Sequence, residues 1–145
     1  MFIVRYTSQN VFASNEINHF IILKGCDIGS MVGGYKVVTL CGSTRFKNEF
    51  LEVQKQLTLE GYIVISVGLF GHSGDNEVWD GMDEGTLSKT KKMLDDMHKR
   101  KIDMSDEIFV VDVDGYIGES TRSEIAYAKN AGKKISYLSE TKLFK

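Results

Sequence analysis

Continuous apolar runs alternate with segments of helical spacing from residue 36 to residue 138, and this alternation limits the fold more than any other feature. The runs fall at 36–41, 62–67, 107–112 and 134–138, and they are unbroken rather than alternating. Strands covered on both faces read that way. Between them, 45–60 carries Phe46, Phe50, Val53 and Leu57 at spacings of four, three and four, and 86–104 carries Leu87, Leu94 and Met97 on one face. A third segment, 120–131, ends at Gly132, as the first ends at Gly61, and glycine is the usual helix stop. Strands that alternate with helices pair in parallel.

The expected fold is therefore α/β, a doubly wound, flavodoxin- or Rossmann-like parallel sheet flanked by helices. Right-handed crossovers order its strands 2-1-3-4. Residues 35–145 form this domain. Residues 1–34 read as an N-terminal extension, with β-rich runs at 2–6 and 19–23 that fit a small hairpin. A poorly ordered leader before a second start at Met31 is the other reading. At 145 residues the chain is long enough for one proper core.

A net charge of −2 gives no electrostatic case for a nucleic-acid polymer as partner. No apolar stretch approaches the ~20 residues of a membrane span, and the N-terminus lacks the basic-then-apolar order of a signal peptide. Cys26 and Cys41 have no CxxC spacing, so a reducing, cytoplasmic setting is the expectation. Cys41 ends an apolar run and reads as a small buried residue.

Two turns carry the chemistry. After the first strand comes Gly42-Ser43-Thr44-Arg45. Glycine lets a ligand approach the backbone, the hydroxyls and amides donate, and the helix dipole favours an anion. Arg45 adds a fork suited to phosphate. An ordinary helix cap by Ser43 or Thr44 is the plainer alternative. After the third strand comes Gly118-Glu119-Ser120-Thr121-Arg122-Ser123-Glu124. Ser120 or Thr121 suits a cap there, with Ser123 or Glu124 closing a capping box. Ile125 and Ala128, however, set the sheet-facing side of this helix beside Glu124, which turns its carboxylate into the crevice. Both turns lie at the carboxyl ends of strands, where such sheets bind ligands.

His98 lies about 40° from Leu94 on a helical wheel, on or beside the inward face, with Asp95 at its flank. It reads either as a core-edge histidine bonded to backbone or as a proton donor in the crevice. The polar segment 68–85 is long enough to be functional, and Trp79 or Phe70 could stack on a base. The runs 89–92 and 99–101 read as solvated basic faces. Neither an EF-hand nor a zinc spacing is present, so no metal or cofactor is expected.

With both turns placed, the chain from about 36 to 138 resembles the nucleoside 2-deoxyribosyltransferase superfamily, nearest its branch that cleaves deoxynucleoside 5′-monophosphates. Leu40-Cys41-Gly42-Ser43-Thr44-Arg45 is similar to that branch's phosphate-side turn, with its Cys-Gly-Ser-x-Arg core. Ser123-Glu124-Ile125-Ala126-Tyr127-Ala128 is similar to the family's nucleophile segment, and 105–110 to the approach to the preceding strand. The resemblance implies a glycosidase or transferase of nucleotide metabolism. Glu124 would attack the anomeric carbon, and His98 would protonate the leaving base near neutral pH. Gly42, Ser43, Thr44, Arg45, Gly118, Ser120 and Thr121 would line the substrate, the hydroxyls and Arg45 holding a 5′-phosphate. It also implies a homodimer or higher homo-oligomer whose neighbouring chain helps complete the site. Two family aspartates are replaced, one at His98 and one at Gly118, so His98 with Asp95 or Glu119 would do their work. The alternative is a non-catalytic nucleotide sensor on the same scaffold. The PGGxGTxxE signature of phosphoribohydrolases is absent.

Overall fold

The first five residues of β1 (Val37–Gly42) are all buried, as a central strand between two layers requires. In the computed structural model, which describes residues 32–142, β1 pairs in parallel with β2 (Ile63–Ile65) on one side and β3 (Glu107–Val111) on the other. β3 pairs in parallel with β4 (Lys134–Tyr137), giving the order β2-β1-β3-β4. Helices α1 (Lys47–Leu59), α2 (Glu84–Asp103) and α3 (Glu119–Asn130) fill the crossovers. This is the doubly wound sheet and the strand order that the sequence implies. The hairpin proposed for 1–34 lies outside the described residues, apart from a bridge between Val32 and Tyr35 through Gly33 and Gly34.

Strand parity sorts the two faces. Val38 and Leu40 point to α1 and pack with Phe50, Val53, Leu57, Phe109 and Val111. Cys41 points the other way, into a cluster with Ile102, Ile108, Val110 and Ala128 beneath α2 and α3. Ile102 is fully buried there. Ile102→Val removes one methyl from this packing and should lower unfolding free energy by about 1 kcal/mol in a urea titration. No change in the midpoint would mean that the site relaxes to fill the gap.

Helix ends follow local chemistry. After α1, Gly61 adopts φ 88°, its amide donates to the Thr58 carbonyl and the Tyr62 amide to the Leu57 carbonyl. Gly132 ends α3 in the same way, with φ 69°. At the start of α2, the Asp83 carboxylate accepts from the Thr86 amide at 3.0 Å and from its hydroxyl at 2.6 Å. The helix therefore begins at Glu84, two residues before the expected start.

Two expectations about elements change. β2 is only Ile63–Ile65, not 62–67, and its pairing is to β1 alone. Met97 is 47% exposed, and the inward line of α2 runs Leu94, His98, Ile102 at a spacing of four. Among the described residues no helix is long and apolar enough to cross a membrane.

Candidate functional site

The chain leaves β1 and β3 in opposite directions, β1 through α1 to β2 and β3 through α3 to β4. Their carboxyl ends are thus the switch point of the sheet, where open α/β folds place ligands. Gly42 makes the exit from β1. A Cβ there would sit 2.9 Å from the Val111 carbonyl oxygen and 3.1 Å from the Phe50 ring. Asp114 (φ 50°) and Gly115 (φ 76°) reverse the chain after β3.

Aromatic and polar contacts tie these exits together. The Arg45 guanidinium lies 4.5 Å from the centroid of the Tyr116 ring, and Phe46 meets the same ring edge-on. The Thr44 hydroxyl and His72 Nδ1 share a 2.7 Å hydrogen bond, which brings the 68–85 segment to the first turn. That segment is held by its own groups. The Phe70 amide donates to Asp75 at 2.7 Å, and Trp79 Nε1 donates to the Gly71 carbonyl at 3.0 Å. Phe70 is a core residue packed edge-on against Phe50. Phe70 is therefore not free to stack on a base, contrary to the expectation, while Trp79 is half-buried with its indole N–H engaged by Gly71.

Both helix mouths at the switch point lack side-chain caps: Phe46 and Gly118 occupy the cap positions of α1 and α3. Ser120 and Thr121 were expected to cap α3. They are instead its second and third residues, Ser120 exposed and Thr121 buried. The Gly118 carbonyl accepts from the Arg122 amide, and no intrahelical carbonyl precedes it to take the amides of Glu119, Ser120 and Thr121. Gly118 packs beside Tyr116, whose hydroxyl lies 3.6 Å from where a Cβ would stand.

Glu124 is the sixth residue of α3, in its second turn and beyond the capping-box position. It shares the inner face with buried Thr121 and Ala128. Its side chain is 13% exposed and bonds to no amide of its own helix, which removes the capping alternative. Oε2 is buried and has no hydrogen-bond partner among the described residues. Facing it from α2 is His98, with Nε2 at 3.8 Å and a side chain 9% exposed. Below both lies fully buried Cys41, its Sγ 3.4 Å from His98 Nε2. The three ligand-type atoms lie within 4.8 Å of one another.

Burial governs the protonation of all three. Loss of hydration pushes Glu124 up to about 7; the facing Cys41 thiol opposes this, Asp95 adds to it and Lys99 opposes it. His98 is pushed down to about 4 by burial first and by Lys101 second, with the Leu40 carbonyl acting the other way. The Cys41 thiol is raised by burial and then by Glu124. His98 is therefore neutral at pH 7, which does not favour the proton-donor role expected of it near neutrality. Glu124 is the group that titrates there.

Lys101, expected to be solvated, donates from Nζ to the Ser66 carbonyl at 2.9 Å, and burial lowers its pKa. Arg100 is exposed, as expected, and it and half-buried Lys99 both lie 5.8 Å from the centroid of the Tyr127 ring. Cys41, Tyr116 and Lys101 are site neighbours that the sequence reading missed. Parity alone could have found Cys41, since it lies two residues from Thr39 on the strand face opposite Leu40.

Two surface depressions lie elsewhere. One, of about 400 Å³, opens at the amino ends of the strands beside Val38, Glu107 and Lys134. The other, of about 340 Å³, lies between Glu49, Asp112 and Leu138. Neither is lined by Glu124, Ser43 or Ser120, so the crevice into which the Glu124 carboxylate is expected to turn is not either of these depressions. Comparison with family models, with curated proteins and with solved structures finds no match for this chain.

Proposed function

We propose that this chain cleaves, or transfers across, the N-glycosidic bond of a (deoxy)nucleoside or its 5′-monophosphate, as a member of the nucleoside 2-deoxyribosyltransferase superfamily. The observation that carries this reading is Glu124, a carboxyl held inward at the switch point with one oxygen left unpartnered. Buried polar atoms are almost always satisfied, and an exception at such a place calls for a role. The ionised carboxylate attacks the anomeric carbon as the bond to the base breaks. The base departs with the electron pair and takes a proton from solvent. Water then attacks the same carbon and frees Glu124, or a second base does so in transfer. Neutral His98, beside Glu124, fits a hydrogen-bond partner that orients that water, which gives up its proton to solvent. The open amides of α3 and the Arg45 fork support binding of a 5′-phosphate.

A second reading, a nucleotide sensor without turnover, is favoured by two residues: His98 and Gly118 stand where the resembled family carries aspartates. A panel of nucleosides and 5′-monophosphates, followed by chromatography for free base, separates the two. Base release from any member supports the enzyme; tight binding with no release from every member supports the sensor.

Arg45 gives a narrower test. Arg45→Ala should lower kcat/KM for a monophosphate about tenfold or more, the worth of a charged hydrogen bond. The corresponding nucleoside should be used as before. Equal losses on both substrates would show that Arg45 acts through Tyr116 and the turn instead.

A further inference from the structure

We propose that Cys41, His98 and Glu124 form a binding site for one thiophilic divalent cation, with Zn²⁺ the best fit. The sequence hides it, because 57 residues separate Cys41 from His98 and no local spacing joins the three. The fold brings a thiol, an imidazole and a carboxylate from β1, α2 and α3 into one cluster. Zinc bonds of about 2.0–2.3 Å at tetrahedral angles place ligand atoms about 3.3–3.6 Å apart. Here Sγ and Nε2 are 3.4 Å apart, and Nε2 and Oε2 are 3.8 Å apart. Two of the three separations thus stand within a few tenths of an ångström of such a site, and the third, from Sγ to the Glu124 oxygen, is no more than 4.8 Å, so side-chain adjustment closes it.

Two further facts point the same way. Among the described residues, the Glu124 oxygen facing His98 is the one buried side-chain oxygen or nitrogen without a hydrogen-bond partner, and a cation supplies one. Thiolate, carboxylate and neutral imidazole around Zn²⁺ also sum to zero charge, which suits a pocket with little hydration. The Leu40 carbonyl beside the His98 ring is the kind of neighbour that fixes a ligating imidazole. Three protein ligands leave a fourth position for water. A bound cation also occupies the oxygen that the glycosidic reading needs free, so in that reading the metal switches the site off. The cation site stands without that reading, because its test needs no substrate.

The 145-residue chain carrying Cys26→Ser holds Cys41 as its one cysteine. After treatment with a chelator it is titrated with Co²⁺, a spectroscopic stand-in for silent Zn²⁺. The expected result is a thiolate-to-cobalt charge-transfer band that saturates at one metal per chain and is erased by Zn²⁺, which binds more tightly. His98→Ala and Glu124→Gln should each weaken zinc binding at least about tenfold. Adding Cys41→Ser should abolish the band while the circular dichroism spectrum is retained. Absence of the band in the single-cysteine chain overturns the proposal, and so does zinc affinity indifferent to both His98 and Glu124. Should the Cys41 variant fail to fold, the single-cysteine chain still decides, since its band has no other source. Loss of base release on adding zinc, with recovery on chelation, would connect the two functions. An inactive chain that still gives the band would refute the glycosidic reading alone.

Discussion

Glu124→Gln is expected to cut base release from a nucleoside monophosphate at least about a thousandfold, because the amide keeps the shape of the side chain and loses the nucleophile. The pH profile of the parent chain gives an independent check. Burial holds Glu124 near pH 7, well above its ordinary 4.5. Only the ionised carboxylate attacks, so release should climb as pH rises through about 7 and level off above it. A carboxyl acting as a proton donor would give the reverse, a fall above 7. Initial rates by chromatography, with chelator present, distinguish the two slopes. A Gln variant within tenfold of the parent would remove Glu124 from the chemistry.

The second large effect is on stability, and its sign follows from proton counts. Between pH 4.5 and about 7 the folded chain keeps a proton on Glu124 that the unfolded chain has lost. Stability from this group is present below the unfolded value and is lost as pH rises through the folded one, by up to about 3 kcal/mol. His98 does the opposite. Its folded pKa of about 4 lies below the ordinary 6.5, so its contribution is present above 6.5 and lost as pH falls toward 4. The two slopes cancel where the windows overlap, leaving the parent chain nearly flat there. Glu124→Gln should expose the histidine slope, with stability rising with pH across its window. Relative to the parent, the variant should gain up to about 3 kcal/mol between acid and mildly alkaline pH. Denaturant titrations at several pH values, with chelator, test this. A parent–variant difference that does not change with pH would mean that Glu124 is ionised at ordinary acidity, and that burial does not hold its proton.

Much of this fold can be read from the chain, because the physics that selects it is periodic. Uninterrupted β-branched runs must be covered on both faces, and the helical spacing of Phe50, Val53 and Leu57 supplies one cover. Gly61 and Gly132 mark helix ends because few other residues accept their positive φ. The start of α2 is legible too, in Asp83 three residues before Thr86, although the apolar spacing alone points to 86. Met97 misled because hydrophobicity suggested the core, whereas the line through His98 and Ile102 carries the packing. Glu124 and His98 emerge from helical geometry. Their proton affinities do not, since these depend on how deep each group sits and on Lys101 and Asp95 nearby. Cys41 reads as a small buried residue from sequence because such a residue at a strand end looks the same whether it packs or ligates. The α3 cap failed for a related reason. Serine and threonine favour cap positions, but here the helix begins at Glu119 behind Gly118, and both hydroxyls fall inside it.

The tight fit at Gly42 changes what that residue stands for. Its missing side chain is required by a carbonyl on the next strand and by a ring on the first helix, both on the protein side of the turn. Even an alanine would wedge the strand exit apart before any ligand arrived. Were the same glycine retained in other chains of this build, its persistence would testify to joinery between β1, β3 and α1. Evidence of shared ligand recognition would have to come from Arg45, Cys41 or Glu124 instead.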